Sequence, residues 1–223
     1  MRRQLIALLW KEWREGWPVM VPLWLAAPVV GPFVCSRIEQ DDRFWAEHRE
    51  SLLGVAFLCF AAALVAGRLF ASEGESGTAK FLLRQPVSRA MVWGAKLLAG
   101  VGFLVVLYAA WLPARGSENP FQVYACGYVS PQSTWWPLIA FGAAFLLSTF
   151  LDNAVLAFVG GMVAWVPITA LVCLACRAAG ERSGAQYNGQ LYMETVSLAA
   201  VLATAAAFLA LSYAAFRWRQ GRG

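Results

Sequence analysis

The sequence predicts an all-α protein embedded in a membrane, and three observations carry that expectation. Of its 223 residues, 60% are hydrophobic and 14% charged, where a soluble domain holds roughly half and a quarter; the mean hydropathy is +0.56. Six apolar runs approach or exceed the ~20 residues that a helix needs to cross a bilayer: 17–36, 51–70, 91–112, 135–151, 153–176 and 195–216. No stretch between them is long enough for a separate soluble domain, so residues 1–223 read as one transmembrane unit with six spans.

The elements follow in order. In residues 1–16 and at Trp17, the side chains Leu5, Ile6, Leu9, Trp10, Trp13 and Trp17 share one helical face, and Arg3, Lys11, Arg14 and Glu15 share the other. That pattern predicts an amphipathic helix lying in the headgroup plane before the chain turns inward. An amphipathic tail packed on a soluble partner fits the same pattern. The apolar run after Arg2 and Arg3 is broken at once by Lys11, Glu12, Arg14 and Glu15, which argues against a cleaved signal peptide. The first span carries Pro18, Pro22, Pro28 and Pro32. A helix so interrupted frees carbonyls that neighbouring helices or water must satisfy, which favours a bundle over a lone anchor. The loop 37–50 holds the only histidine, His48, which reads as solvated surface.

Residues 113–134 are rich in Pro, Gly, Ser and Asn and lead into Trp135 and Trp136, at a level where aromatic belts form. The fourth and fifth spans meet at Asp152 and Asn153 with almost no linker. One of these two side chains is expected to cap the fifth helix, and the pair is also a candidate for a second contact with a partner on that side. Residues 177–194 are polar, the last span is alanine-rich, and Arg217, Trp218, Arg219 and Arg222 form an interfacial tail.

Charge orients the chain. With six spans both termini fall on one side, which then holds Arg2, Arg3, Lys11, Arg14, Arg68, Lys80, Arg84, Arg89, Lys96, Arg217, Arg219 and Arg222. The other side holds Arg37, Arg43, Arg49, Arg115, Arg177 and Arg182. By the positive-inside rule the richer side is cytoplasmic. The net charge of +5 is thus an orientation signal, and no nucleic-acid partner is expected.

The polar stretch 72–96 has internal order. Ser72 and Glu75 have the spacing of a capping box, so a short helix is expected to start there, with Glu73 and Glu75 near its positive end and Lys80 and Arg84 toward its negative end. Pro86 disfavours helix at Gln85, and Ser88 is placed to cap a second helix running through Arg89 and Lys96.

Chemistry by this chain is not expected. No apolar run contains a histidine, no buried pair of carboxylates is anticipated, and there is no H-E-x-x-H. Gly74, Gly77 and Lys80 do not make a phosphate loop, which needs G-x-x-x-x-G-K-[ST] after a strand. Cys173-Leu-Ala-Cys176 is the one redox pattern among five cysteines. Either it is two small residues on a packed helix, or it makes the chain a membrane thiol–disulfide oxidoreductase, which would require a second pair where only Cys126 lies in a loop.

From Phe70, the stretch F-A-S-E-x-E-S-G-T-x-K-F-L-L-x-x-P-V-S-R followed by Lys96 resembles the cytoplasmic loop between spans two and three of type-2 permeases of ABC transporters. The positions that carry the resemblance are Glu73, Glu75, Gly77, Thr78, Phe81, Leu82, Leu83, Pro86, Ser88, Arg89 and Lys96. The resemblance implies a coupling helix in residues 72–90 that docks on a separate ATPase subunit. Phe81, Leu82 and Leu83 would be the buried contact, with Glu73, Glu75, Lys80 and Arg84 as its polar rim. It also implies a second permease copy, a lipid surround in a bacterial inner membrane, cargo export as the mode of work, and ATP and Mg bound by the partner alone. A further alternative is a membrane anchor or assembly protein without transport.

Overall fold

The computed structural model describes residues 2–38, 43–75, 88–114, 136–182 and 189–220. Among these residues there are six helices and no strand: α1 (Arg2–Ile38), α2 (Arg43–Glu75), α3 (Arg89–Ala114), α4 (Trp136–Phe150), α5 (Ala154–Arg182) and α6 (Gly189–Gln220). The described residues therefore agree with the expected all-α class. Among the described residues, four helices contain apolar segments long enough to cross a membrane: Val55–Glu73, Arg89–Ala109, Ala154–Val172 and Leu198–Trp218. α4 is apolar but has 15 residues, about 22 Å at the helical rise. The expected first span, 17–36, runs past residue 26, beyond the described side chains.

Local signals set the helix starts. Ser88 Oγ accepts a hydrogen bond from the Met91 amide at 3.3 Å, and Asn153 Oδ1 accepts one from the Leu156 amide at 2.9 Å. Each satisfies a donor that a helix start leaves free. Of the two side chains at the α4–α5 hairpin, Asn153 is the cap, while Asp152 is exposed. Hydroxyls within the apolar helices bond to their own backbone, as Ser148 does to the Phe145 carbonyl at 2.8 Å and Thr204 to the Ala200 carbonyl at 2.7 Å. A hydroxyl so satisfied costs little away from water.

Two expectations are corrected. First, α1 runs unbroken through Trp17, with no turn between the amphipathic segment and the apolar one. Its outward face includes Ile6 (55% exposed), Trp10 and Trp17, whereas Leu8, Glu12, Met20 and Leu23 are buried. The helix packs through the line of Leu8, Glu12, Gly16 and Met20 because Gly16 lets the Phe103 ring of α3 lie against it; a Cβ there would fall 2.4 Å from that ring. Second, Ser72 starts no helix. It lies inside α2, which continues to Glu75. Capping requires non-helical backbone at Ser72, and the ion pairs of Glu73 described below hold this turn helical instead.

One core joins α1, α2, α3, α4 and α6, with Leu8, Phe70, Val92, Phe145 and Phe216 among its buried residues. Its aromatic centre packs Phe70 edge-on to Phe145 (5.3 Å between centroids) and tilted against Phe216 (5.1 Å). Trp93 adds edge contacts to Phe145 and Tyr213, and its Nε1 donates to Ser212 Oγ at 3.2 Å. These contacts gather the start of α1, the ends of α2, α4 and α6 and the start of α3 at one end of the bundle. Close approach of α5 to α4 rests on Gly161, where a Cβ would meet the Ala144 Cα at 2.8 Å. Outward, α5 and α6 are the barest helices, with only 17% of each apolar segment buried against 61% for that of α2.

Candidate coupling site

At the gathered end of the bundle, three helices converge on one ammonium group. Lys96 of α3 is 1% exposed, and its Nζ lies 3.0 Å from Glu12 Oε1 of α1 and 3.0 Å from Glu73 Oε1 of α2. It also donates to the Leu69 carbonyl and sits over the Phe70 ring, 5.1 Å from the centroid. Lys11 closes the cluster: its Nζ donates to Glu73 Oε1 at 2.8 Å and lies 3.8 Å from Glu15 Oε2. Both carboxylates are buried, Glu12 at 7% and Glu73 at 6% exposure.

The expectation that no buried carboxylate pair exists is therefore corrected. The pair is not poised for acid–base chemistry, because the same ammonium binds both members. What it does is tie helices together. A lysine two turns into α3 is tied to the last turn of α2 and to the middle of the α1 amphipathic segment. Burial pushes the Glu12 carboxyl above its usual range, with the Lys96 charge opposing. Burial alone would lower the Lys11 ammonium, but the hydrogen bond and charge of Glu73 outweigh it and leave the group above its ordinary 10.5. Removing one member of such a cluster strands the others without water, so the set holds together or fails together.

Of the sequence-predicted site residues, the structure joins Glu73 directly to Lys96 across the 72–96 stretch. Glu73 is thereby not part of an exposed rim: it points into the bundle. Glu75 lies in the last turn of α2, and its side chain is outside the described set. Gly77, Thr78, Lys80, Phe81, Leu82, Leu83, Arg84 and Pro86 lie outside the described residues. Ser88 caps α3, and Arg89 beside it is exposed. Asp152 and Asn153 are exposed at the same end of the bundle, where α4 ends. Cys173 and Cys176 both lie inside α5. Among the described residues no group of three or more metal-ligating side chains exists.

Glu12 and Lys11 were missed by the sequence reading. The signal was present: Glu12 falls at helical spacing with Leu8, Gly16 and Met20, so the α1 stripe that packs inward contains a charge and requires a partner.

In comparison with known proteins, the family model described as ABC-2 family transporter protein matches residues 37–175. The match spans the end of α1 through most of α5 and contains Glu73 and Lys96, while Lys11 and Glu12 precede it. No curated protein gives a significant match.

Proposed function

Because the chain belongs to the ABC-2 family of transporter proteins, we propose that it is the permease subunit of an ATP-driven exporter of the bacterial inner membrane, worked by a separate ATPase that docks on residues 72–90. In this reading the bundle crosses the membrane six times, and the end that gathers Lys11, Glu73 and Lys96 faces the cytoplasm, where the basic residues of both termini lie. ATP and Mg are bound by the partner, and this chain holds no cofactor. A second permease copy completes the pathway, and the bare faces of α5 and α6 leave room for it and for lipid.

The observation that carries the reading is the Lys96–Glu73 ion pair. It clamps the two helices that flank the docking stretch, and Glu12 and Lys11 extend the clamp to α1. A push on the stretch is then delivered to three helices together, as a two-state element requires. Phe81, Leu82 and Leu83 supply the apolar contact to the ATPase; Lys80, Arg84 and Arg89 flank it, and Asp152 and Asn153 offer a second contact.

The test is co-purification of the chain with its ATPase. Phe81→Asp and Leu83→Asp are expected to abolish association while the chain stays in the membrane fraction, and undiminished association overturns the docking assignment.

A further inference from the structure

Beside the charge cluster a cleft opens between α1, α2 and α3. Its apolar lining includes the buried Met20, Val65 and Phe103, and its polar lining is Arg68 and Ser72 from α2 with Glu12 and Glu15 from α1. Glu12 is committed to Lys96. The others are not. Arg68 and Ser72 form no hydrogen bond or ion pair among the described residues. Glu15 reaches Lys11 only at 3.8 Å, with its side chain 45% exposed.

The outer face of α1 fixes the level of this cleft. Trp10 and Trp17 are exposed and bracket Glu15 within about 10 Å of helix. Trp218 is exposed at the same end of the bundle on α6. Exposed indoles in a ring are the mark of the headgroup layer. A half-open cleft at that level, apolar inside and charged at its lining, fits an amphiphile better than a soluble ion.

We propose that this cleft binds the headgroup of a zwitterionic phospholipid carrying a primary ammonium, of the phosphatidylethanolamine class. The guanidinium of Arg68, unpaired among the described residues, takes the phosphodiester in a charge-assisted, forked contact. Ser72, one turn further along the same face of α2, donates its hydroxyl to a second phosphate oxygen. Glu15 accepts the hydrogen bonds of the ammonium. Chemistry excludes the competing headgroups. A quaternary ammonium has no proton to donate to Glu15, and a phosphoglycerol headgroup brings a bare negative charge toward two carboxylates with no cation for them.

The test uses the full chain purified in detergent, with retained lipids measured by native mass spectrometry from an equimolar mixture of phosphatidylethanolamine, phosphatidylcholine and phosphatidylglycerol with matched chains. The wild type is expected to retain phosphatidylethanolamine preferentially. Arg68→Gln is expected to lower that retention about tenfold or more, the loss that goes with one charged hydrogen-bonded contact, while Arg68→Lys restores part of it. Glu15→Gln is expected to erase the preference for phosphatidylethanolamine over phosphatidylcholine with phosphate binding kept. Glu15 is largely exposed, so this variant carries the test even if Arg68→Gln unfolds. Equal retention of the three lipids by the wild type, or unchanged selectivity in Glu15→Gln, overturns the proposal. So does displacement of the bound lipid by inorganic phosphate, which would assign the cleft to a soluble anion.

Discussion

Replacing Lys96 by methionine keeps an unbranched side chain, one heavy atom shorter, and deletes its charge. Its ammonium is 1% exposed and holds Glu12 and Glu73 at 3.0 Å each. After the change two buried carboxylates face each other, with Lys11 in reach of Glu73 but 4.0 Å from Glu12. Breaking a buried pair by removing one partner costs about 3–5 kcal/mol, because the stranded charge stays out of water. The Leu69 carbonyl loses its donor as well. The triple variant Lys96→Met, Glu12→Gln, Glu73→Gln removes the three buried charges together and leaves the partly exposed Lys11 with Glu15; neutral replacements of a buried charge set are often close to neutral. Unfolding in detergent should therefore rank the single variant below the triple variant by at least about 2 kcal/mol, with the triple within about 2 kcal/mol of the wild type. A single variant as stable as the wild type, or a triple variant no better than the single, refutes the reasoning that this cluster is a mutually dependent lock.

Two further outcomes follow from the same geometry. Gly161→Ala places a methyl group 2.8 Å from the Ala144 Cα and 3.0 Å from its amide nitrogen; backbone cannot swing aside, so α4 and α5 must separate, lowering stability by about 1–3 kcal/mol in thermal unfolding. Lys11 binds its proton more tightly folded than unfolded, so its contribution is complete below its ordinary 10.5 and is lost as pH rises through the higher folded value. A stability profile taken through that alkaline window should fall less steeply in Lys11→Met than in the wild type, and identical slopes would remove Lys11 from the cluster.

Much of the fold was legible because the signals are local. Runs such as 91–112 and 195–216 are apolar enough to fix helices without knowledge of their neighbours, and Ser88 and Asn153 cap helices within three residues of themselves. The lock was harder to read because it is made between distant positions: Lys96 and Glu12 are 84 residues apart, and nothing near either names the other. Ser72-x-x-Glu75 misled for the complementary reason. The spacing is that of a capping box, but the Glu73 side chain between them is drawn into the bundle by Lys96 and Lys11, and that tertiary pull keeps α2 helical to Glu75. On α1, the pattern of tryptophans named the face expected at the headgroups, and Trp10 and Trp17 are exposed; it did not name the inward face, which carries Gly16, where a missing side chain lets Phe103 of α3 come close.

The central claim is that motion at residues 72–90 reaches α1 through Lys96, and a distance measurement in the complex with the ATPase tests it. Spin labels introduced as unnatural amino acids at the exposed positions Arg14 on α1 and Val155 on α5 report that motion with and without ATP. The account predicts a distance that changes on ATP binding in the wild type and stays fixed in the triple variant Lys96→Met, Glu12→Gln, Glu73→Gln with the ATPase still bound. The same ATP-dependent change in both proteins, or none in the wild type, contradicts it.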